Sequence, residues 1–573
     1  MLATKQRDVQ AFLINADTIV VRSRTWERLK FEIEYALQRG TTANSYVIRG
    51  DKIALFDPPG ESFTEVFLAA LQARLDLKSI DYVILGHVNP NRGVTLEALL
   101  ELAPQITFVC SNPGASTLRS ILPDRELNIE VVRGEDTLDL GQGHCLEFAL
   151  TPSPRWPAAI CTYDPKTAIL FTDKLFGAHI CGNQVMDEGW TVYSEDRRYY
   201  FDCLMAPHAR QVEKALDKLD AFPAKMYATG HGPLVFYGLS HLTHSYRQWS
   251  KQQKTQELTV ALLYASAYGN TGTLAQAIAR GITKAGVAVE CINCEMAEPE
   301  ELRTVVEKAD GFIMGSPTLG GHAPTQIQTA LGIVLSSATK TKLAGVFGSF
   351  GWSGEAIDLI ESKFRDAGYQ FGFKTIRVKF KPTEVTLQYC EEAGTDFAQA
   401  LKKAKKVRIR RRNMSDQAAR TEQAVGRLIG SLCIVTTKQG ELSGAMLADW
   451  IAQATFTPPG LTVAVAKDRA IESLMHIGNN LVLNVLKEGQ HLGLMKHFLK
   501  TFSPGEDRFA GVATEEAENG SPILTDALAY LECTVENRME CGDHWLIYVV
   551  VNNGRVLSEG VTAVHHRKSG MHY

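Results

Sequence analysis

The segment Ala265–Gly272 reads ASAYGNTG and gathers side chains suited to holding a phosphate. Ser266, Tyr268, Asn270 and Thr271 supply hydroxyl and amide groups, and Gly269 lets the backbone approach a ligand closely. A helix is expected from near Thr273, and its unpaired N–H groups would point at the loop and favour an anion. The lysine of a G-x-x-x-x-G-K-[ST] loop is missing, which argues against a nucleoside triphosphatase. Two more loops follow, GSPTLGG (Gly315–Gly321) and GSFGWSGE (Gly348–Glu355). They carry Ser316, Pro317, Thr318 and Leu319, then Ser349, Phe350, Gly351, Trp352, Ser353 and Gly354. Any one of the three reads as an ordinary turn. At the carboxyl ends of neighbouring parallel strands they would converge on one crevice. There Leu319 or Trp352 would cover a flat ring, and a phosphate cradle beside a ring platform outlines a flavin site.

The elements that must position these loops are legible. LTVALLYAS (Leu258–Ser266) is a near-continuous apolar strand, as a parallel sheet covered on both faces requires. VAVECINC, ADGFIMGSP and KLAGVFGSFGWSG repeat the pattern of strand, loop and helix, which predicts a doubly wound sheet. Before it, short β-type runs such as SYVIRGDKIALFD, with a hairpin turn at Gly50-Asp51, mix with a helix-like run over Phe63–Leu75. After it, GSLCIVTTKQGELSGAML, GLTVAVAKD, NLVLNVLKEG and HWLIYVVVNNGRVL alternate with turn signals, Asn553-Gly554 among them, and predict a mainly β barrel. The expected boundaries are 1–255, 256–400, a basic linker over 401–420, and 421–573.

Composition narrows the function classes. With 573 residues the chain exceeds one hydrophobic core. Hydrophobic residues make up 45% and charged residues 22%, the balance of a soluble globular protein. Lys plus Arg number 60 against 64 acids, so no global affinity for polyanions is expected. The basic run KKAKKVRIRRRN (Lys402–Asn413) lacks aromatics for base stacking and reads as a solvated connector, not a nucleic-acid site. No apolar run reaches the ~20 residues of a membrane span, and the start lacks the apolar core of a secretory signal. Eleven scattered cysteines suggest reduced thiols in a cytoplasmic setting. Cys291 and Cys294 form a lone C-x-x-C with no second pair to complete a metal site.

The three central loops resemble the FMN site of flavodoxins, most closely the flavodoxin module of flavodiiron proteins. The resemblance extends along the whole chain. GTTANSYVIRGDKIALFDPPG, HVNPNRG, TPSPRWP, AILFTDKLFGAH and ATGHGPLV fall in the order of that family's metallo-β-lactamase-like domain. GSLCIVTT, AMLADWIAQATFTPPGLTVAVAKDRAIE and GDHWLIY look like its flavin-reductase domain, which is fused only in the long class typical of cyanobacteria and other oxygenic phototrophs. The implied fold class is multidomain α/β and α+β: a metallo-β-lactamase-like αββα sandwich, a flavodoxin-like doubly wound sheet and a flavin-reductase-like split β-barrel.

Against the family's H-x-E-x-D-H-x-G motif, which serves a non-haem di-iron centre, this chain reads His87-Val88-Asn89-Pro90-Asn91-Arg92-Gly93. Asn89 and Asn91 stand where the family has Glu and Asp, and Arg92 where it has a second His. Arg155 stands at the His before Trp-Pro, and Lys174 at the bridging Asp. Of these positions, only His87 and His231 keep ligand identity. Asp173 adjoins Lys174, and strand alternation would turn it to the opposite face. Unit charges ~5 Å apart interact by roughly 3 kcal/mol at an effective dielectric of ~20. Three cations facing one divalent ion would therefore oppose it by on the order of 20 kcal/mol before screening, against the roughly 10–16 kcal/mol that structural zinc binding supplies. Iron is not expected here. Lys174, Arg92 and Arg155 are expected to pair with acids or hold an anion such as chloride. His179, His208, His241, His244, His565 and His566 match no ligand motif.

In the C-terminal stretch the resemblance implies a second flavin, FMN or FAD, near Ser443, Ala448, Asp449, Gln453 and Thr455. It also implies NAD(P)H or a photosynthetic carrier as electron donor and oxygen reduced to water as the outcome. The family's head-to-tail dimer sets one chain's FMN beside the other's metal pocket. A chain with exchanged ligands would thus pair with itself or with an intact flavodiiron paralogue supplying the metal site. The alternative is a regulatory or stabilising subunit with an anion in the former metal pocket. A metallo-β-lactamase-type hydrolase is disfavoured, because the same substitutions remove the metal that would activate water.

Overall fold

The computed structural model describes residues 7–26, 40–409 and 424–566. Two compact units divide the chain, Met1–Gln256 and Glu257–Tyr573. Among the described residues no helix is long and apolar enough to cross a membrane.

The first unit holds two facing sheets. One has seven strands in sequence order: β1 Asp8–Leu13, β2 Thr18–Thr25, β3 Thr41–Arg49, β4 Ile53–Phe56, β5 Ile80–Ile84, β6 Thr107–Cys110 and β7 Asn128–Val131. The other has five: β8 Thr137–Gly141, β9 His144–Leu150, β10 Ile160–Asp164, β11 Ile169–Asp173 and β12 Met226–Thr229, in the order β12-β11-β10-β9-β8. Their apolar faces meet in a core that includes Val20, Tyr46, Phe56, Phe148 and Phe171. Phe56 stacks on Phe171 at 4.2 Å between ring centroids. Helices such as Gly93–Leu102 and Ala209–Leu219 cover the outer faces, which completes the αββα sandwich. Gly50 and Asp51 lie in the expected turn between β3 and β4.

In the second unit the parallel strands are β13 Thr259–Tyr264, β14 Ala288–Asn293, β15 Gly311–Pro317, β16 Leu343–Phe350, β17 Gln370–Phe371 and β18 Ile376–Lys379. Their order is β14-β13-β15-β16-β17, with β18 also pairing β16. The order reverses between β13 and β15, so the crevice above their carboxyl ends lies among the three loops. Cys291 within β14 and Cys294 just after it are buried free thiols. The last helix of this module, Glu384–Ile409, packs along the helix Asn270–Lys284. Residues 402–409 of the basic run are thus helical, and Arg410–Asn413 lie outside the described residues.

The remaining strands are β19 Gly430–Ser431, β20 Cys433–Gln439, β21 Leu442–Ala448, β22 Ile451–Phe456, β23 Pro459–Ala466, β24 Asn480–Val485, β25 Thr514–Glu516, β26 Pro522–Leu524, β27 Ala529–Cys541, β28 His544–Val556 and β29 Val564–His565. Seven form an antiparallel sheet, β21-β20-β24-β27-β28-β23-β22, around Val435, Val463, Leu481 and Val549. Asn553-Gly554 is not a turn. It lies inside β28, where a Cβ on Gly554 would meet the Leu531 side chain at 2.8 Å, so the glycine serves close approach. The hairpin turns at Gly542, whose φ is +63°.

Candidate functional site

His87 ends the segment after β5, and the short 3-10 turn Pro90–Arg92 returns the chain toward it. Proline at the first position of that turn costs no hydrogen bond. The side chain of Arg92, buried at 8% exposure, reaches back into the pocket. Its Nη1 donates to Asp57 Oδ1 at 2.5 Å and to the His87 carbonyl at 3.0 Å, and its Nη2 lies 3.5 Å from Asp173 Oδ1. Asp57 follows β4 and Asp173 ends β11, so one guanidinium ties the two facing sheets together.

Asp173 does not turn away from the pocket. Its φ is +46°, and the pairing of β11 with β12 shifts register between Phe171 and Asp173. Strand alternation stops there, and Asp173 and Lys174 both face inward. Asp57, His87 and Asp173 are the one trio among the described residues whose donor atoms lie close enough to share a cation. Arg92 already occupies both carboxylates.

The two retained histidines are also occupied. His87 Nδ1 lies 2.5 Å from Asp173 Oδ2, and its Nε2 lies 3.0 Å from Asn89 Nδ2. His231 Nδ1 lies 2.7 Å from the Thr42 carbonyl, and its Nε2 lies 2.8 Å from Lys174 Nζ. The network assigns Nδ1–H on both rings, leaving each Nε2 lone pair to accept from an N–H donor. Burial, then the nearby Arg92, pushes the His87 pKa down to about 4, so its ring is neutral. Burial and the charge of Asp173 raise Asp57 to about 6 despite Arg92. Asp173 is buried too, yet His87, Arg92 and Lys174 hold its carboxyl well below the usual range.

Asn91 packs on Gly60, where a Cβ would sit 2.1 Å from Asn91 Nδ2. Arg155 is half-buried and stacks on Trp156 at 5.1 Å. Lys174 meets the His231 imidazole at hydrogen-bond distance and its charge acts on Asp173, while Arg92 takes two acids. His179 packs against His231, ring centroids 4.6 Å apart and tilted by 47°, and hydrogen-bonds Thr41. The pocket is a cleft bounded by Asn44, Asp57, His87, Asn89, Arg92 and His231. These residues do not fit the family's di-iron centre: its carboxylate positions are amides or a lysine, and the surviving imidazoles face N–H donors.

The flavin loops do fit their ligand. The helix after β13 begins at Asn270, three residues earlier than expected, with Gly269 as its left-handed cap at φ +81°. Asn270 and Thr271 therefore sit in the first turn, where free N–H groups favour a phosphate. Thr271 Oγ1 meets Ser349 Oγ at 2.8 Å, which joins the first loop to the third. Thr318 N donates to the Ser349 carbonyl at 3.0 Å, which joins the second. Ser266 Oγ accepts from Gly272 N. Thr318 Oγ1 is buried without a partner, an orphaned group of the kind a ligand satisfies. Tyr268 and Trp352 are 85% and 90% exposed, and Leu319 is exposed as well. Pro317 and Ser316 are buried, the latter with its hydroxyl on the Pro317 carbonyl, and Phe350 ends β16 while Gly351, Ser353 and Gly354 lie in the loop after it.

The five positions picked in the C-terminal module do not form one cluster. Ser443 and Ala448 lie near opposite ends of β21, and Asp449 just beyond it, roughly 20 Å from Ser443 at ~3.3 Å per residue. Asp449 is buried, with Oδ2 2.8 Å from His565 Nδ1. Thr455 Oγ1 meets Tyr548 OH at 2.9 Å, and Gln453 is exposed on the edge strand β22. Sequence reasoning passes over Asp57, turns Asp173 away from the pocket and gives His565 no role. None belongs to a spaced motif with its partner.

Three family descriptions match the chain: an ODP family beta lactamase over residues 41–232, flavodoxin over 262–394 and a flavin reductase like domain over 425–572. A protein of Nostoc sp. named as diflavin flavoprotein A 6 is 72% identical over the full length of both chains. Diflavin flavoprotein A 1 of Synechocystis sp. is 46% identical, covering 99% of this chain and 98% of its own. A solved structure of a metal-soaked flavodiiron core, Flv1, from Synechocystis sp. superposes with a TM-score of 0.69 at 69% identity, covering 70% of this chain and all of that one.

Proposed function

We propose, from the premise that this chain belongs to the three-domain diflavin flavoprotein (flavodiiron) family of cyanobacterial type, that it carries electrons for a partner chain's oxygen site instead of hosting one. Electrons would enter from NAD(P)H or a photosynthetic carrier at the C-terminal flavin, FMN or FAD, and pass to FMN in the flavodoxin module. An intact paralogue in a mixed dimer would supply the iron that reduces oxygen to water. A cytoplasmic location is part of this reading.

One observation carries it: Asn89 and Lys174 present N–H donors to the Nε2 atoms of His87 and His231, the atoms a metal would need. Bound FMN supplies one- and two-electron carriage that side chains lack. Ser266, Thr271 and the first turn after Gly269 would hold its phosphate, and Thr318 Oγ1 would bond its polar chain. Tyr268 and Trp352 would flank the ring and keep water from it. In the C-terminal module Gln453 and Thr455 would face the flavin, and the Asp449–His565 pair would hold their segment in place.

Mixing this chain with an intact paralogue tests the reading. Oxygen uptake should exceed that of either protein alone and should fall when the FMN loops of this chain are disabled. Uptake that survives the loss of those loops would instead make this chain a regulatory subunit.

A further inference from the structure

The flavodoxin and reductase modules meet across a seam whose centre is charged and buried. Glu472, in the 3-10 turn Ala470–Leu474, is 2% exposed. Its Oε1 accepts from Arg538 Nη2 at 2.5 Å, and its Oε2 lies 4.0 Å from Arg280 Nη2. Arg538 belongs to β27 of the reductase module and also bonds His476 Nδ1, while its guanidinium lies over Trp545 at 4.3 Å. Arg280 lies on the helix Asn270–Lys284 of the flavodoxin module, and one turn on Lys284 Nζ donates to Glu391 Oε1 and reaches the Arg469 carbonyl. Four further bonds cross the seam from three residues of the helix Glu384–Ile409. Gln388 donates to the Ser443 carbonyl, Gln399 to the Asp468 carbonyl, and Glu392 accepts from Gly505 N at 2.9 Å and from Arg508 at 3.0 Å.

We infer that these contacts lock the two modules into one rigid body, with Glu472 as its central tie, so that the chain has no swinging reductase arm. Burial by itself would disfavour the charge on Glu472; Arg538 of its own module, then Arg280 and Lys284 of the other, offset that cost. Parting the modules strips away Arg280 and leaves Arg280, Lys284 and Glu472 to be resolvated separately, so the seam opens as a unit or not at all. The lock also fixes where the two candidate ligand sets lie. Thr271 is nine residues up its helix from Arg280, about 14 Å at ~1.5 Å per residue. Thr455 and Phe456 sit beside Pro459, the end of β23 remote from Ala466 and the seam, roughly 23 Å at ~3.3 Å per residue. Each set is held at the end of its element away from the contact. This inference is independent of what either set binds.

The Gly505 amide is the reporter, because its acceptor is a carboxylate on the other module and Glu472 does not touch it. Hydrogen exchange is measured on the full chain. Wild-type protein should protect Gly505, and Glu472→Gln should accelerate its exchange about ten- to a hundredfold while β13 and β15 stay unchanged. Lys284→Gln gives the same readout should Glu472→Gln fail to fold. A wild-type Gly505 amide that exchanges as fast as an exposed loop, or one unmoved by both substitutions, overturns the lock.

Discussion

Lys174 Nζ lies 2.8 Å from His231 Nε2, so a buried ammonium is set against the atom that the family's histidine would offer to iron. A lysine at this position both removes a bridging carboxylate and occupies a second ligand. Arg92 acts in parallel on the other side, where it binds Asp57 and Asp173 and leaves His87 to Asn89. Arg92 is paired with Asp57 and Asp173 and Lys174 with His231, and these pairings explain how a site built for cations stays folded with basic residues around it.

Arg92→Leu should destabilise the first unit by about 3–5 kcal/mol, because it leaves Asp57 as a buried carboxylate without its cation and strips one of two cations from Asp173. Thermal or denaturant unfolding of the full chain measures it. A loss below about 1 kcal/mol would show that the guanidinium is not what holds the sheets there.

Thr271→Val removes the hydroxyl that joins the first flavin loop to Ser349. FMN affinity should fall about ten- to a hundredfold, as expected for a bond near a charged phosphate. Flavin released on dialysis should be FMN, and the C-terminal flavin should stay bound. Unchanged FMN content would remove Thr271 from the site.

Asp396 is expected to shape stability against pH. Burial, then the charge of Glu392, raises its carboxyl to about 6 from 3.8. Its folded pKa exceeds the unfolded one, so its contribution is fully present below about 4 and is lost as pH rises through about 6. Asp396→Asn should therefore raise the melting temperature above pH 6 and have no effect near pH 4. An equal effect at both ends would refute the assignment.

Asp449→Ala should cost about 1–3 kcal/mol in the C-terminal module by releasing His565 and the short pairing of β29 with β19. Flavin in that module should weaken, while FMN in the flavodoxin module should not.

Much of this was legible in the chain itself. The doubly wound order follows from apolar strands separated by helices, whereas the exchange of ligands at Asn89, Asn91, Arg92, Arg155 and Lys174 is what the resemblance to the flavodiiron motifs implies. Asp173 was misread because alternation was carried one residue past the end of β11, where a positive φ breaks it. Asp57 lies far from His87 in sequence, and only the fold places them together. Asn553-Gly554 has turn chemistry, yet the long pairing of β27 with β28 keeps it extended and uses the glycine for close packing. The seam around Glu472 is assembled from segments nearly two hundred residues apart and leaves no local signature.

The most direct measurement is metal and flavin content on one sample of full-length protein, purified and then exposed to ferrous iron under anaerobic conditions. The account predicts two flavins per chain, one of them FMN, with iron remaining far below one atom per chain, and predicts that Lys174→Asp alone does not restore it because Arg92 and Asn89 remain. Two irons per chain in the unmodified protein, bound through His87 and His231, would contradict it.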